Sequence, residues 1–177
     1  MEACANACAR LLPERCYSMN KEVIAGMTTD RTVTGVMLSH GTASGPVKLL
    51  RAPLSFWGGY DSANGVIVDK THPCFGQSLA GSVMVMPRAK GSSSSSSVLA
   101  EAIRNGTGPV GIVLRERDLI IAIGAIVASD LYAIHVPVVA LSEVDFDAVC
   151  TADGIVRIHA CADHGAASVT WSVPAAV

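Results

Sequence analysis

A run of six serines after a glycine and two basic residues is the part of this sequence best suited to chemistry. Ser92–Ser97 follow Lys90 and Gly91, and Arg88 stands just before them. A neutral serine hydroxyl is a weak base and a weak nucleophile, but its anion becomes accessible where backbone N–H groups and cations stabilise it. The segment therefore predicts a site for a reactive hydroxyl or for a bound carboxylate or phosphate. A flexible serine linker is the alternative interpretation.

The flanking residues place these serines at a turn from a strand to a helix. Val83–Met86 is an apolar run typical of a short buried strand, and Val98–Arg104 has apolar residues at helical spacing before the stop signal Gly106. The first N–H groups of a helix have no partner inside the helix and carry partial positive charge. We therefore expect the turn to attract anions, and Ser95–Ser97 to begin the helix and satisfy its first donors.

Composition and charge exclude several classes of function. The chain has 177 residues, of which 50% are hydrophobic and 16% charged, so it can bury the core of one globular domain. A net charge of -2 and 5% aromatic residues argue against nucleic-acid binding. The longest apolar stretch, Leu119–Ser129, ends at Asp130 and is shorter than the roughly 20 residues that cross a bilayer. We expect no membrane span.

The cysteines give no sign of a metal site or a disulfide framework. Six cysteines are scattered along the chain without a C-x-x-C pair or a histidine at zinc-finger spacing. Cys4 and Cys8 would share one face of a helix, and we interpret them as incidental. We therefore expect reduced thiols in a cytoplasmic protein and no metal bound by this chain.

The distribution of apolar runs, glycines and prolines predicts an N-terminal extension followed by one α/β domain. Residues 1–30 lack a sustained pattern and are interpreted as a poorly ordered N-terminal extension, and residues 31–177 as the domain. The first half of the domain is rich in strand-like runs, and the alternation in the second half predicts a parallel sheet segment. The individual elements predicted are a strand Gly65–Asp69, a helix near residues 95–105, a strand Val110–Leu114, a helix near Leu119–Tyr132, a strand Val136–Leu141, a short helical turn near Glu143–Val149, and a closing hairpin or edge strands Ile155–Ala160 and Ser168–Val173.

Three blocks in residues 54–114 carry a resemblance to a known family. In order, they are SFWGGYD at 55–61, an HP…GQSLAG block, and the glycine–serine turn. Together they closely resemble the swivel domain of the aconitase X family, and with its flanks the similarity covers about Val33–Leu141. The resemblance implies an α/β fold, a swivelling β/β/α domain like the mobile domain of aconitase, with a β-rich first half and a β-α alternating second half. It also implies a separate small subunit that works beside an aconitase X large subunit, as a heterodimer or a higher assembly.

The same resemblance implies a hydro-lyase and assigns residues to its site. Family members dehydrate small carboxylates, either cis-3-hydroxy-L-proline or mevalonate 5-phosphate, with an iron-sulfur cluster held by the large partner and not by this chain. The glycine–serine pattern makes Ser92 the catalytic serine and Lys90, Gly91, Ser93 and Ser94 substrate-binding. Relatives carry arginine where this chain has Lys90, so a bidentate contact to an anion becomes a point-charge contact.

Other interpretations remain open beside this one. In the SFWGGYD block, packing of Phe56 and Trp57, either under the sheet or against the large subunit, is favoured over a loop that encloses substrate. The same choice applies to Tyr60 and Asp61. His72 is interpreted as a turn residue with one local hydrogen bond, and the remaining histidines have no clustered partners.

Two rival functions come from other classes. The first is a phosphohistidine-type swivel domain, which needs a nucleophilic histidine at the start of a helix. At that place this chain has Ile-Ala-Ile, residues 121–123, so it lacks the histidine. A non-catalytic assembly subunit is favoured only if Ser92 is dispensable. Between the two dehydratases, the serine run and the SFWGGYD block favour hydroxyproline over phosphomevalonate.

Overall fold

The computed structural model describes residues 28–161 and 166–174. Most of the predicted extension, residues 1–27 with Cys4 and Cys8, lies outside this part of the chain. The first strand begins at Thr28, three residues before the predicted start of the domain. Asp30–Val173 forms one compact unit, and Thr28, Thr29 and Pro174 fall outside it.

Within the described residues, nine strands and four helical segments follow one another along the chain. They are β1 Thr28–Ser39, β2 Gly41–Leu49, α1 Phe56–Gly59, β3 Tyr60–Asp61, β4 Val66–Ile67, β5 Val83–Met86, α2 Ser94–Arg104, β6 Gly111–Leu114, α3 Leu119–Tyr132, β7 Val138–Ala140, α4 Glu143–Val149, β8 Ile155–Ala160 and β9 Ala166–Pro174. The predicted strand Gly65–Asp69 shortens to β4, because the N–H groups of Val68 and Asp69 turn away to the carbonyl of Gly59.

Seven of the strands close into a barrel in the order β1-β7-β6-β5-β2-β8-β9. The strands β2, β5, β6 and β7 run parallel to one another. β1 and β8 lie antiparallel at the two sides of this group, and β9 pairs with β8. The hydroxyls of Thr32 in β1 and Thr170 in β9 lie 2.9 Å apart at the closure. The predicted α/β fold and terminal hairpin are confirmed, and the hairpin closes a barrel.

The side chains of the central strands divide between two cores. In β5, Val83 and Val85 point into the barrel and pack with Trp171, while Met84 and Met86 face α2 and α3 on the outside. Successive side chains of a strand point to opposite faces. Because both faces are covered here, all four residues are buried, and the strand is a continuous apolar run with no polar alternation.

Helices α2 and α3 pack closely on the outer face of the parallel strands. A Cβ added to Gly124 of α3 would stand 3.0 Å from Cδ2 of Leu99 and 3.0 Å from the carbonyl oxygen of Ser96 in α2. The outward face of α3 leaves Leu119, Ile123 and Ile126 exposed. In the described part of the chain, no helix is long and apolar enough to cross a membrane.

Candidate functional site

The carboxyl ends of the parallel strands bring two polar segments to one edge of the barrel. They are Gly91–Ser94, which we call the serine turn, after β5, and residues 115–118 after β6. In open parallel sheets, ligands bind at this edge. The carbonyl oxygen of Pro87, after β5, accepts the N–H groups of Arg115 at 3.2 Å and Glu116 at 3.0 Å, after β6. One carboxylate oxygen of Asp118 accepts the N–H of Ala89 at 2.9 Å. These bonds fix the loop that leads into the serine turn.

Gly91 has a backbone conformation and a neighbour that both require glycine. Its φ is +107°, in the region that residues with a Cβ seldom adopt. A Cβ at this position would stand 2.6 Å from Oγ of Ser55. The close backbone approach expected at Gly91 is therefore made to Ser55, and it sets the direction in which the following serines leave the turn.

Ser92, Ser93 and Ser94 are exposed and present unused polar groups. Among the residues that the structure describes, their hydroxyls and their backbone N–H groups make no hydrogen bond. The carbonyl oxygens of Ser92 and Ser93 accept the N–H groups of Ser95 and Ser96, both at 3.0 Å, which makes a tight first turn. Three N–H donors and three hydroxyls therefore remain available to an anion or a reacting group at the start of α2.

The next serines do not cap the helix, and the prediction that they satisfy its first donors is wrong. The helix begins at Ser94. The buried hydroxyl of Ser95 accepts the N–H of Trp57 at 3.2 Å, and the hydroxyl of Ser96 donates to the carbonyl oxygen of Ile120 at 2.9 Å. Because the first turn of α2 packs against α1 and α3, these hydroxyls bond to neighbouring segments. They fasten the turn to the rest of the domain.

Lys90 is an exposed cation that borders the turn. Its Nζ lies 3.6 Å from Oδ2 of Asp69, and its side chain is 57% exposed. Hydrogen bonds from the side chain and N–H of Thr71, together with Lys90, hold the pKa of Asp69 below its usual value. An ion pair of this kind, exposed to water, adds little to stability. The ammonium of Lys90 therefore remains available to an anionic ligand.

The aromatic block divides between the core and the surface. Phe56 and Tyr60 are buried with ring centroids 5.3 Å apart, which confirms packing for these two. The hydroxyl of Tyr60 donates to the carbonyl oxygen of Thr107 at 2.6 Å, and burial raises the pKa of Tyr60 to about 12. Asp61 accepts hydrogen bonds from Ala63 and Asn64 in its own turn. Trp57 does not pack in the core, because it is 63% exposed, and its packing against the large subunit stays a prediction.

The histidines stand apart from the serine turn. His72 is buried, and its Nδ1 accepts the N–H of Cys74, which is the local hydrogen bond predicted. A second bond that was not predicted runs from Nε2 to the carbonyl oxygen of Ala52. The expectation that the other histidines lie apart is wrong for His40 and His135, whose rings are 4.8 Å apart, and for His159, which lines the same cavity. That cavity lies at the opposite end of the parallel strands, where β2 and β7 begin. His164 lies outside the described residues. Within residues 28–161 and 166–174, no three metal-binding side chains meet as a metal site.

Sequence reasoning missed the polar residues after β6. Arg115 and Arg117 are exposed at the same edge as the serine turn and line a cavity of about 480 Å³ together with Ser142. Asp118 holds Ala89, and Ser55 abuts Gly91. The sequence did contain a signal for these residues. The four residues 115–118 are polar and directly follow β6, a buried parallel strand whose carboxyl end lies beside that of β5.

Comparison with known proteins identifies the family of this fold. Residues 32–168 match the family model described as the aconitase X swivel domain. A cis-3-hydroxy-L-proline dehydratase from Pseudomonas aeruginosa is 42% identical over 127 residues, which cover 67% of this chain and 21% of that protein. A phosphomevalonate dehydratase small subunit from Methanosarcina acetivorans is 38% identical over 94 residues, which cover 53% of this chain and 65% of that protein.

A solved structure agrees with the sequence comparisons. The holo-form of Thermococcus kodakaraensis aconitase X superposes with a TM-score of 0.63 at 32% identity, over 78% of this chain and 98% of that chain. The chain spans about a fifth of the length of the Pseudomonas dehydratase. The family model covers the serine turn, the aromatic block and all seven barrel strands at least in part. The chain belongs to the aconitase X swivel domain family.

Proposed function

We propose that this chain is the small subunit of an aconitase X-type hydro-lyase, and that the enzyme is a cis-3-hydroxy-L-proline dehydratase. The observation that carries the proposal is the serine turn, where exposed hydroxyls and unbonded N–H groups meet at the carboxyl edge of the barrel. The 42% identity to the Pseudomonas dehydratase across that region supports it. The remaining part of the active site belongs to a large subunit.

The proposed reaction removes a proton and a hydroxyl from neighbouring carbons of the substrate. Lys90 and the N–H groups of Ser93 and Ser94 bind the substrate carboxylate and stabilise the charge that gathers on it. Gly91 holds the turn in place, so that the α-carbon lies beside Ser92. The oxygen of Ser92, as its anion, takes the α-proton; the electron pair forms the double bond, and hydroxide leaves the β-carbon. The proton released when Ser92 returns to its anion converts that hydroxide to water.

The family implies an iron–sulfur cluster, and the described residues of this chain do not fit one. Clusters are held by several cysteine thiolates brought together. Cys74 and Cys150 lie on different segments, and in the described ranges no group of three or more possible ligands is assembled. We propose that the large subunit holds the cluster. We also propose a cytoplasmic location, which the scattered cysteines favour.

Dehydration of mevalonate 5-phosphate is the alternative activity. The 38% identity to the Methanosarcina small subunit supports the same type of assembly with that substrate. Both substrates need a carboxylate site and a base, so the serine turn serves either one. Measuring the turnover of each substrate by the reconstituted enzyme distinguishes the two activities.

Reconstitution tests the proposed function directly. We expect the chain alone to show no turnover, and the chain mixed with the aconitase X large subunit of the same organism to dehydrate cis-3-hydroxy-L-proline. The measurement is anaerobic turnover of each substrate by the chain, the large subunit and the mixture. Turnover or stoichiometric iron in the chain alone would show that the shared site is wrong. Turnover of mevalonate 5-phosphate alone would show that the alternative activity is correct.

A further inference from the structure

Three large apolar side chains near the serine turn face solvent. Trp57 is 63% exposed, Phe75 is 53% exposed and Val68 is 41% exposed. All three come from the segment that joins β2 to β5, whose neighbouring residues Phe56, Tyr60 and Ile67 are buried. We call Trp57, Val68 and Phe75 the apolar rim.

Backbone hydrogen bonds hold the members of the rim in place beside the turn. The N–H of Trp57 donates to the hydroxyl of Ser95 in the first turn of α2. The N–H of Val68 donates to the carbonyl oxygen of Gly59 at 2.9 Å, two residues after Trp57. The N–H of Gly76 donates to the carbonyl oxygen of Ile67 at 2.8 Å, which brings the backbone around Phe75 next to that around Val68. The rim residues therefore lie on segments that hydrogen bonds tie to one another and to the start of α2.

The local backbone turns the indole of Trp57 outward. Trp57 has φ -71° and ψ 119°, and Gly58 has φ +72°, so the helical turn α1 is interrupted at this point. Phe56 on one side is fully buried, whereas Trp57 leaves its ring in water. Aromatic residues exposed in a patch mark protein interfaces, where they are enriched and contribute strongly to binding.

The charged groups of the site lie along the same surface. Asp69 follows Val68 directly, and its carboxylate pairs with Lys90, which precedes Gly91 and Ser92. A protein that covered the rim would therefore also border the serine turn. Covering would remove water from the turn, where its N–H groups and Lys90 act on an anion more strongly in a lower dielectric.

The comparisons indicate what kind of protein covers this surface. The matched region is 21% of the Pseudomonas dehydratase, so about four fifths of that protein has no counterpart in the matched segment. In contrast, the superposition covers 98% of the aconitase X chain of known structure. Under the proposed function, the occupant of the rim is the part of the enzyme that has no counterpart in this chain.

We propose that the apolar rim of Trp57, Val68 and Phe75 is the docking surface for the large subunit, and that docking there closes the serine turn from water. This inference rests on the proposed function. The large subunit should present an apolar surface to the rim. Trp57 and Phe75 would become buried in the complex, and Lys90 would lie at the border of the interface.

The binding test compares rim variants with a control of similar exposure. We expect Trp57→Ser and Phe75→Ser each to raise the Kd for the large subunit at least about tenfold, as for aromatic residues at interface centres. Leu131→Ser is the control, because Leu131 is 68% exposed at the far end of α3 from Asp118, and its Kd should stay within about twofold. All three isolated variants should keep Tm within about 2 °C of the wild type, since exposed substitutions change stability little.

A second measurement does not depend on substitutions. The chain contains two tryptophans, Trp57 and the fully buried Trp171. With 5-fluorotryptophan incorporated in this chain alone, addition of unlabelled large subunit should shift the fluorine resonance of Trp57 and leave that of Trp171 in place. Titration by isothermal calorimetry gives the Kd values for the variants.

The outcomes separate this inference from the proposed function. Suppose that the wild type binds the large subunit and turns over substrate, but the rim variants bind as tightly and the Trp57 resonance does not move. The proposed function then stands, and the rim inference is wrong. If Ile123→Ser on the outward face of α3 weakens binding and the rim variants do not, the large subunit docks on α3. A wild type that neither binds nor turns over substrate contradicts both.

Discussion

At the scale of single residues, the serine turn depends on Gly91 and on the two serines that face inward. Gly91 combines a left-handed φ of +107° with a neighbouring hydroxyl that leaves no room for a side chain. Ser95 and Ser96 use their hydroxyls to bond to Trp57 and Ile120. In contrast, Ser92, Ser93 and Ser94 are exposed. One run of identical residues therefore contains both structural and chemically available hydroxyls.

Gly91→Ala tests the steric part of this account. We expect a loss of stability larger than the roughly 1–2 kcal/mol that a residue with a Cβ costs at positive φ, because the added Cβ would also clash with Oγ of Ser55 at 2.6 Å. Urea denaturation of the isolated chain gives the free energy of unfolding. Gly76→Ala is the control, since Gly76 has φ +75° and a Cβ added there would meet nothing within 4 Å. Equal losses in the two variants would contradict a steric requirement at Gly91.

At the scale of elements, the order of the serine turn comes from ties between loops that follow neighbouring strands. Pro87 accepts two N–H groups from the loop after β6. Asp118 links that loop to Ala89 and at the same time caps α3, because its other carboxylate oxygen accepts the N–H groups of Ile120 and Ile121. The residue that caps α3 therefore also positions the loop that leads into the serine turn.

Asp118→Ala should release the loop before the serine turn. We expect a loss of about 1–2 kcal/mol in unfolding free energy from the lost cap, together with faster hydrogen exchange at the amide of Ala89, whose acceptor is removed. Ser142→Ala is the matched control, because Ser142 caps α4 through the N–H of Asp145 and does not touch Ala89. It should lose stability without changing exchange at Ala89. Unchanged exchange at Ala89 in Asp118→Ala would show that the loop is held by other contacts.

At the scale of the whole molecule, local patterns in the sequence predict the helices and strands better than they predict the closure of the strands into a barrel. The helix Leu119–Tyr132 and the strand Ile155–Ala160 agree with the structure at both ends, because an apolar period and flanking turn residues mark them. The barrel is not visible in the sequence, since β2 lies between β5 and β8, strands that are distant in sequence. For the same reason Asp118 and Ser55 were missed: Asp118 contacts Ala89 across 29 residues, and Ser55 contacts Gly91 from the far side of three intervening strands in the sequence.

Under the proposed function, this chain supplies one part of a larger active site. The serine turn, Lys90 and the apolar rim all lie on residues that the family model covers. Ser92 is the residue through which this chain would enter the chemistry. Its exposure and its unbonded hydroxyl, within the described residues, mean that its loss should cost the fold little.

The most direct test is the activity of Ser92→Ala in the assembled enzyme. We predict at least a 100-fold loss of both turnover and solvent exchange of the α-proton of cis-3-hydroxy-L-proline, as for loss of a general base, with unchanged affinity for the large subunit. Ser97→Ala, an exposed serine one turn into the same helix, should keep its activity within about twofold of wild type. If Ser92→Ala retains more than about a tenth of wild-type turnover, well short of that loss, another group takes the proton and the central claim is wrong.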